Sequence, residues 1–366
     1  MDDIGAEGYG STEMADDQET GPGTETSEPL GYQTPEKRKS RNIPILVAKI
    51  AVMAVVLGWV GWTVYKAWRQ VNGANIAIDW RWSPVAIACF CGNILTSAAV
   101  WVILGRRMGD RSPGVGLMGA YTFSQLGKYV PGKVFLLLLR IERAGRVGMN
   151  ARTCTLSTIL ENALYMVSGG IVGMTAIAHL VGGLVGKAAA FQPVIWPATV
   201  VIVIGLFAAC YPPVFYLLVN RVLRGMKKPV VPNEERLGLG TFVLAILGFV
   251  PCWIFGGLAL WGATRAVHDM PLVDAWWFAG AFALSVIIGM ASFLPGGAGI
   301  RDAVVGAVVV IALKAQGIPQ DNAVLMGGIV AILLRVFQLA AELLLGAIGA
   351  IVTAKRSTPE PRATPR

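Results

Sequence analysis

Two apolar stretches of this chain are each cut by a Pro-Gly pair with charge beside the cut: Gly127-Lys128-Tyr129-Val130-Pro131-Gly132-Lys133, and Phe293-Leu294-Pro295-Gly296-Gly297-Ala298-Gly299-Ile300-Arg301-Asp302. Proline removes a backbone donor and clashes with the preceding turn, so a helix stops or bends there. About 16 apolar-rich residues precede Pro131, and only Val134–Leu139 continues as an apolar run after it. At 1.5 Å per residue, neither piece crosses a hydrocarbon core roughly 30 Å thick. A re-entrant hairpin fits better than two spans. Paired broken segments in the two halves of a membrane protein point to a ligand site near the bilayer midplane.

The rest of the chain agrees with a bilayer as solvent. Hydrophobic residues make up 55% and charged residues 14%, against about 25% charged in an ordinary soluble domain. Apolar runs long enough to be transmembrane helices lie near 45–66, 84–105, 154–179, 194–218, 241–264 and 323–352. Between them fall the two interrupted segments, 114–147 and 274–315.

Charge is segregated along the chain. Residues 1–36 hold ten acids and no base, and the remainder carries a net +19. That acidic stretch is rich in Gly, Thr, Ser and Pro and is expected to be a disordered tail. It has no signal-peptide h-region, so the first apolar span is expected to act as an uncleaved anchor. The expected division is residues 1–41 as the tail ending in a basic cluster, 42–354 as the polytopic membrane domain, and 355–366 as a short basic C-terminal tail.

Basic loops mark the cytoplasmic side. Lys37, Arg38, Lys39 and Arg41 precede the first span, and Arg106, Arg107 and Arg111 follow the second. Arg140, Arg143, Arg146 and Arg152 lie at the far end of the first broken segment, so both its ends are expected inside. Arg221 to Arg236 mark a further inner loop, and Lys355 and Arg356 place the C-terminus inside too. The second broken segment then enters from the opposite face, with lightly charged flanks. The fold class expected is an all-α integral membrane protein: an inverted-repeat helical bundle of six full spans and two re-entrant Pro-Gly hairpins, with repeats 84–179 and 241–352. The alternative makes 274–294 and 300–316 full spans, giving about eight.

Ionisable groups inside a span are costly and usually face a cavity or the bundle interior. Lys128 and Lys133 flank the first break, and Arg301 and Asp302 follow the second. Glu161 and Asn162 lie about two turns into the third span. Arg335, Gln338 and Glu342 share one face of the last. A helix that restarts after each break leaves its first N–H groups unpaired, with the positive dipole end exposed, which makes an anion site. Lys128, Lys133 and Arg301 reinforce it, and a phosphodiester headgroup is the natural guest in a membrane. Glu161 and Glu342 then balance those cations when the site is empty, or bind a cationic part of a headgroup. The structural alternative is a set of buried ion pairs, Arg301 with Asp302 or Arg335 with Glu161, that hold the halves in register. In the same vein, Gly296, Gly297 and Gly299 then only permit close helix approach.

Other chemistry finds little support. Cys89-Phe90-Cys91 has no second ligand pair for zinc, and Cys154, Cys210 and Cys252 lie singly in or near apolar spans. His179 and His268, the two histidines, suit polar interface positions. No metal, cofactor or catalytic set is expected.

At these residues the chain resembles the lysylphosphatidylglycerol synthase transmembrane-region family, also called flippase-like domain proteins. The resemblance rests on Lys128-Tyr129-Val130-Pro131-Gly132, Arg140, Glu161, Pro295-Gly296-Gly297-Ala298-Gly299-Ile300-Arg301-Asp302 and Arg335, and covers about residues 45–352. The family often has Glu where this chain has Asp302. Synthase members carry an additional cytosolic aminoacyl-transferase domain, for which nothing here serves, so the resemblance implies lipid translocation rather than synthesis. The headgroup site expected from the charges at depth together with this resemblance comprises Lys128, Tyr129, Pro131, Gly132, Lys133, Arg140, Glu161, Pro295, Gly296, Gly297, Gly299, Arg301, Asp302, Arg335 and Glu342. The chain is expected in the cytoplasmic membrane, with an anionic phospho- or polyprenyl-linked lipid and the bilayer as partners and no nucleic acid. A homo-oligomer or an envelope-lipid enzyme partner stays open. The rival readings are a polyprenyl-diphosphate phosphatase-like enzyme and a scaffold for an envelope-lipid enzyme. The enzyme would need a nucleophile or base near the hairpin, where Ser124 and Ser292 are the closest hydroxyls.

Overall fold

The computed structural model describes residues 76–129, 134–183, 211–225, 230–233, 236–291, 297 and 299–355, with scattered positions between 58 and 69 and between 197 and 208. The expected tails, the span at 45–66 and most of 194–218 lie outside the described residues. So do Pro131, Gly132, Lys133, Pro295 and Gly296 at the two breaks.

The described residues form helices and short 3₁₀ turns, without strands. In chain order the helices are α1 (Ser83–Arg107), α2 (Gly114–Ser124), α3 (Val134–Arg146), α4 (Ala151–Gly183), α5 (Pro212–Gly225), α6 (Leu239–Gly248), α7 (Val250–Arg265), α8 (Ala275–Ala291), α9 (Ile300–Ala315) and α10 (Gln320–Lys355). Among the described residues four stretches are long and apolar enough to cross a membrane: Trp80–Arg107, Leu239–Arg265, Leu272–Met290 and Gln320–Ala354. Leu247, Ile254, Leu344 and Ile351 leave large apolar side chains exposed on them, as a lipid-facing surface does. The chain is a multi-pass membrane protein.

Sequence signals explain several of the helix ends. Pro84 opens α1, where its missing donor costs nothing, and Arg106 and Arg107 close it against the negative end of the dipole. Arg143 and Arg146 do the same for α3. The apolar run 241–264 is not one straight helix. Pro251 leaves the Leu247 carbonyl without its partner, and α6 gives way to α7 at Phe249. In the first broken segment, α2 has 11 residues, a 3₁₀ turn covers Gln125–Tyr129, and α3 has 13 residues. Neither helix exceeds about 20 Å. In the second, α8 has 17 residues and α9 has 16.

Small residues let the helices approach closely, the usual packing device where lipid supplies no hydrophobic drive. A Cβ on Gly257 of α7 would fall on the backbone of Ala279 in α8, and one on Gly256 on the Phe282 ring. Gly349 of α10 meets Gly119 and Thr122 of α2, and Gly327 of α10 meets the Gly306 carbonyl of α9. α10 thus contacts both broken segments, and α8 packs along both α4 and α7. Between these helices lies the cavity described next.

Candidate functional site

A cavity of about 550 Å³ opens among α1, α2, α3, α4, α8, α9 and α10. Its apolar wall includes Phe90, Leu136, Tyr165 and Phe282. Its charged groups are Lys128, Arg140, Glu161, Arg301 and Glu342. All five were candidates from sequence, and Gly297 lines the cavity with them. They divide into two clusters.

The first cluster centres on Arg140 of α3, which is 1% exposed. Its guanidinium pairs with Glu161 of α4 through Nη1, and Nε donates to Ser124 Oγ at 3.1 Å. It stacks over the Tyr121 ring at 4.0 Å and near the Trp101 ring at 5.2 Å. Tyr121 donates to the other Glu161 oxygen at 2.6 Å, and Trp101 Nε1 donates to Thr158 Oγ1 at 3.1 Å. Charge, donors and acceptors are matched on both sides. The cluster ties α1, α2, α3 and α4 together.

The second cluster centres on α10. Glu342, 1% exposed, takes Lys128 Nζ at 2.5 Å and Gln338 Nε2 at 2.6 Å, both on Oε1. Gln338 Oε1 accepts from Arg301 Nη1 at 2.7 Å. The amide therefore bridges a carboxylate and a guanidinium. Arg301 is 8% exposed and lies 5.0 Å over the Phe282 ring. Among the described residues no carboxylate pairs with it. Its place on the first turn of α9 adds the positive end of the helix dipole. Gly299, at φ +83°, turns the chain into that helix, and its N–H donates to Asp302 Oδ2 at 3.0 Å. A side chain there would be strained, which accounts for the glycine.

Asp302 and Arg335 pair with each other at 2.9 Å and are not among the cavity-lining residues. The ion pairs therefore differ from the sequence expectation of Arg301–Asp302 or Arg335–Glu161: the observed pairs are Arg335–Asp302, Arg140–Glu161 and Lys128–Glu342. Tyr129 is beside Glu342, and Gly299 acts at the helix start. His268 Nε2 lies 3.0 Å from Gln316 Oε1 in an exposed position, as a polar surface contact. The side chain of His179 and Cys210 lie outside the described residues. Cys89, Cys91, Cys154 and Cys252 are free thiols, and no metal-holding group occurs among the described residues.

Sequence reasoning left several cavity residues out of the site: Tyr121, Asn93, Ser97, Thr158 and Gln338. Asn93 and Ser97 did carry a signal, two polar residues one turn apart within the mostly apolar run of α1. Tyr121 and Thr158 carried none beyond their type, because Glu161 and Arg140 give them their meaning. What the arrangement can do chemically follows from its imbalance: it offers an anion a buried guanidinium that no carboxylate pairs with among the described residues, in an apolar-walled cavity.

No curated protein matches this chain. The family model described as Lysylphosphatidylglycerol synthase TM region, a membrane domain, matches residues 46–346. That match covers most of the chain and all of the cavity's lining residues. The chain belongs to the lysylphosphatidylglycerol synthase transmembrane-region family.

Proposed function

We propose that the protein moves an anionic, phosphate-bearing lipid across the cytoplasmic membrane, with the headgroup bound in this cavity. One observation carries the reading. Arg301 is buried, faces the cavity, and has a neutral amide and an aromatic ring rather than a carboxylate for company. A desolvated cation without a counter-charge is expensive. A phosphodiester oxygen arriving with a lipid removes that cost, and the planar fork of arginine suits two such oxygens.

The two broken segments then serve as re-entrant hairpins of an inverted repeat, meeting at the cavity, with both termini cytoplasmic. The short lengths of α2 and α3 support this for the first hairpin. The basic residues Arg106 and Arg107 at the end of α1, and Arg143 and Arg146 at the end of α3, support the orientation. Transport rather than catalysis suits the hydroxyl chemistry: Ser124 Oγ donates to the Tyr121 carbonyl and accepts from Arg140, so it is engaged on both sides.

The test is purified protein in vesicles carrying fluorescent phospholipid in both leaflets, with quencher added outside. Accelerated loss of the inner-leaflet signal, absent in Arg301→Gln, supports the reading. Phosphate release from a polyprenyl diphosphate, with no lipid movement, overturns it in favour of an enzyme.

A further inference from the structure

The cavity has a second unmet demand. Both partners of Glu342 sit on one oxygen, Oε1. Among the described residues its Oε2 is buried with no hydrogen-bond partner, and so is the Tyr129 hydroxyl beside the same carboxylate. A carboxylate has about four acceptor sites, and leaving a buried one unfilled is costly. The Tyr129 hydroxyl is within electrostatic reach of the Glu342 carboxylate yet outside hydrogen-bond geometry, so a donor placed at the carboxylate can serve both groups. Arg301 is one amide away, across Gln338. A demand for an anion and a demand for a donor therefore stand next to each other. The volume of about 550 Å³ holds some 18 water-sized groups at roughly 30 Å³ each, far more than a lone phosphate.

We infer, resting on the anionic-lipid reading above, that one headgroup meets both demands: its phosphate oxygen binds Arg301 and its own O–H or N–H donates to Glu342 Oε2. The ligand class is a phospholipid whose headgroup carries hydrogen-bond donors. A phosphodiester capped by a bare methyl group fills the anion point and leaves Glu342 unsatisfied. Glu342 and Tyr129 thus select on the headgroup beyond its charge.

The experiment reconstitutes the full chain in phosphatidylcholine vesicles doped equally with phosphatidylglycerol and phosphatidylmethanol, which share charge and acyl chains and differ in hydroxyl donors. Lipids that co-purify are counted by mass spectrometry. Phosphatidylglycerol should be enriched about tenfold over phosphatidylmethanol, the size of one hydrogen bond to a charged group. Glu342→Gln should narrow that ratio. Because this substitution also removes the partner of Lys128, Tyr129→Phe provides a second variant, expected to cut the ratio at least by half. A parallel arm with phosphatidylethanolamine distinguishes an ammonium donor from a hydroxyl, and enrichment of either supports the inference. Equal retention of phosphatidylglycerol and phosphatidylmethanol, both lost in Arg301→Gln, overturns it and leaves the anionic-lipid reading standing. Retention of neither above phosphatidylcholine overturns that reading as well.

Discussion

Arg140 and Arg301 are both buried guanidiniums that face one cavity, yet their surroundings treat them in opposite ways. Arg140 has a carboxylate, a hydroxyl and two aromatic faces, and its carboxylate has a tyrosine on the other oxygen. Among the described residues Arg301 has one amide oxygen and one ring. Its nearest neighbour in sequence, Asp302, points its charge at Arg335 instead. A closed cluster holds helices in place. An open one holds a place for something else. Burial and charge alone do not separate the two roles; the completeness of the partner set does.

Breaking the closed cluster should have the largest effect. Arg140→Met leaves Glu161 buried with a tyrosine as its remaining partner, which costs about 3–5 kcal/mol as for other broken buried pairs. The expected result is loss of the folded fraction on size-exclusion chromatography and a collapsed melting temperature. Adding Glu161→Leu to Arg140→Met removes the stranded charge and should restore much of the stability. If the single variant melts like the parent, Arg140 is not the clamp described above.

The same operation at the open cluster should read out differently. Arg301→Gln removes a charge that has no counter-charge among the described residues, so stability should hold or rise. Retention of anionic lipid should fall at least tenfold, as for the loss of a charge-assisted hydrogen bond. Arg301→Lys keeps the charge without the fork and should lose part of that retention. A large drop in melting temperature for Arg301→Gln would erase the contrast between the clusters.

A finer test closes the open cluster from within. Gln338→Glu sets a carboxylate where the amide oxygen now meets Arg301 at 2.7 Å. The guanidinium then has an internal counter-charge and competes less for a guest. Lipid retention should fall several-fold. The substitution also removes the amide donor that Glu342 Oε1 receives at 2.6 Å, so the fold persists with one proton shared between the two acids and Lys128 and Arg301 on either side. Unchanged retention would mean that the missing counter-charge is not what recruits the anion.

How far the sequence revealed this contrast follows from the range of each interaction. Helix positions are local: the expected run 84–105 is Ser83–Arg107, and 323–352 lies within Gln320–Lys355. The Pro251 break inside 241–264 is equally local, but the apolar run continues across it and hides it. Pairing is not local. Lys128 finds Glu342 across 214 residues, and nothing in either neighbourhood prefers that partner to Glu161. Five of the candidate charged groups line one cavity, since charge in an apolar span has few other places to go. Which of them neutralise each other depends on helix rotation, and that is set by small-residue contacts such as Gly349 against Gly119. The role of Gln338 is the extreme case, since an amide becomes a bridge only once both its neighbours are fixed.

The smallest expected effect tests the third ion pair, which calibrates the other two. Asp302 joins Arg335 at 2.9 Å and also accepts the Gly299 N–H at the start of α9. Its side chain is 31% exposed, against 7% for Glu161, so less desolvation is at stake. Asp302→Asn keeps an oxygen that can still accept the Gly299 N–H and gives up only the charge towards Arg335. The loss should be about 1 kcal/mol, the range of a helix-terminal charge or cap. Lipid retention should stay within about twofold of the parent, because Asp302 does not line the cavity. If Asp302→Asn instead releases lipid as Arg301→Gln does, Asp302 works on the ligand through the start of α9. The division between open and closed clusters then has to be drawn around the whole Gly299–Asp302 turn rather than around Arg301 alone.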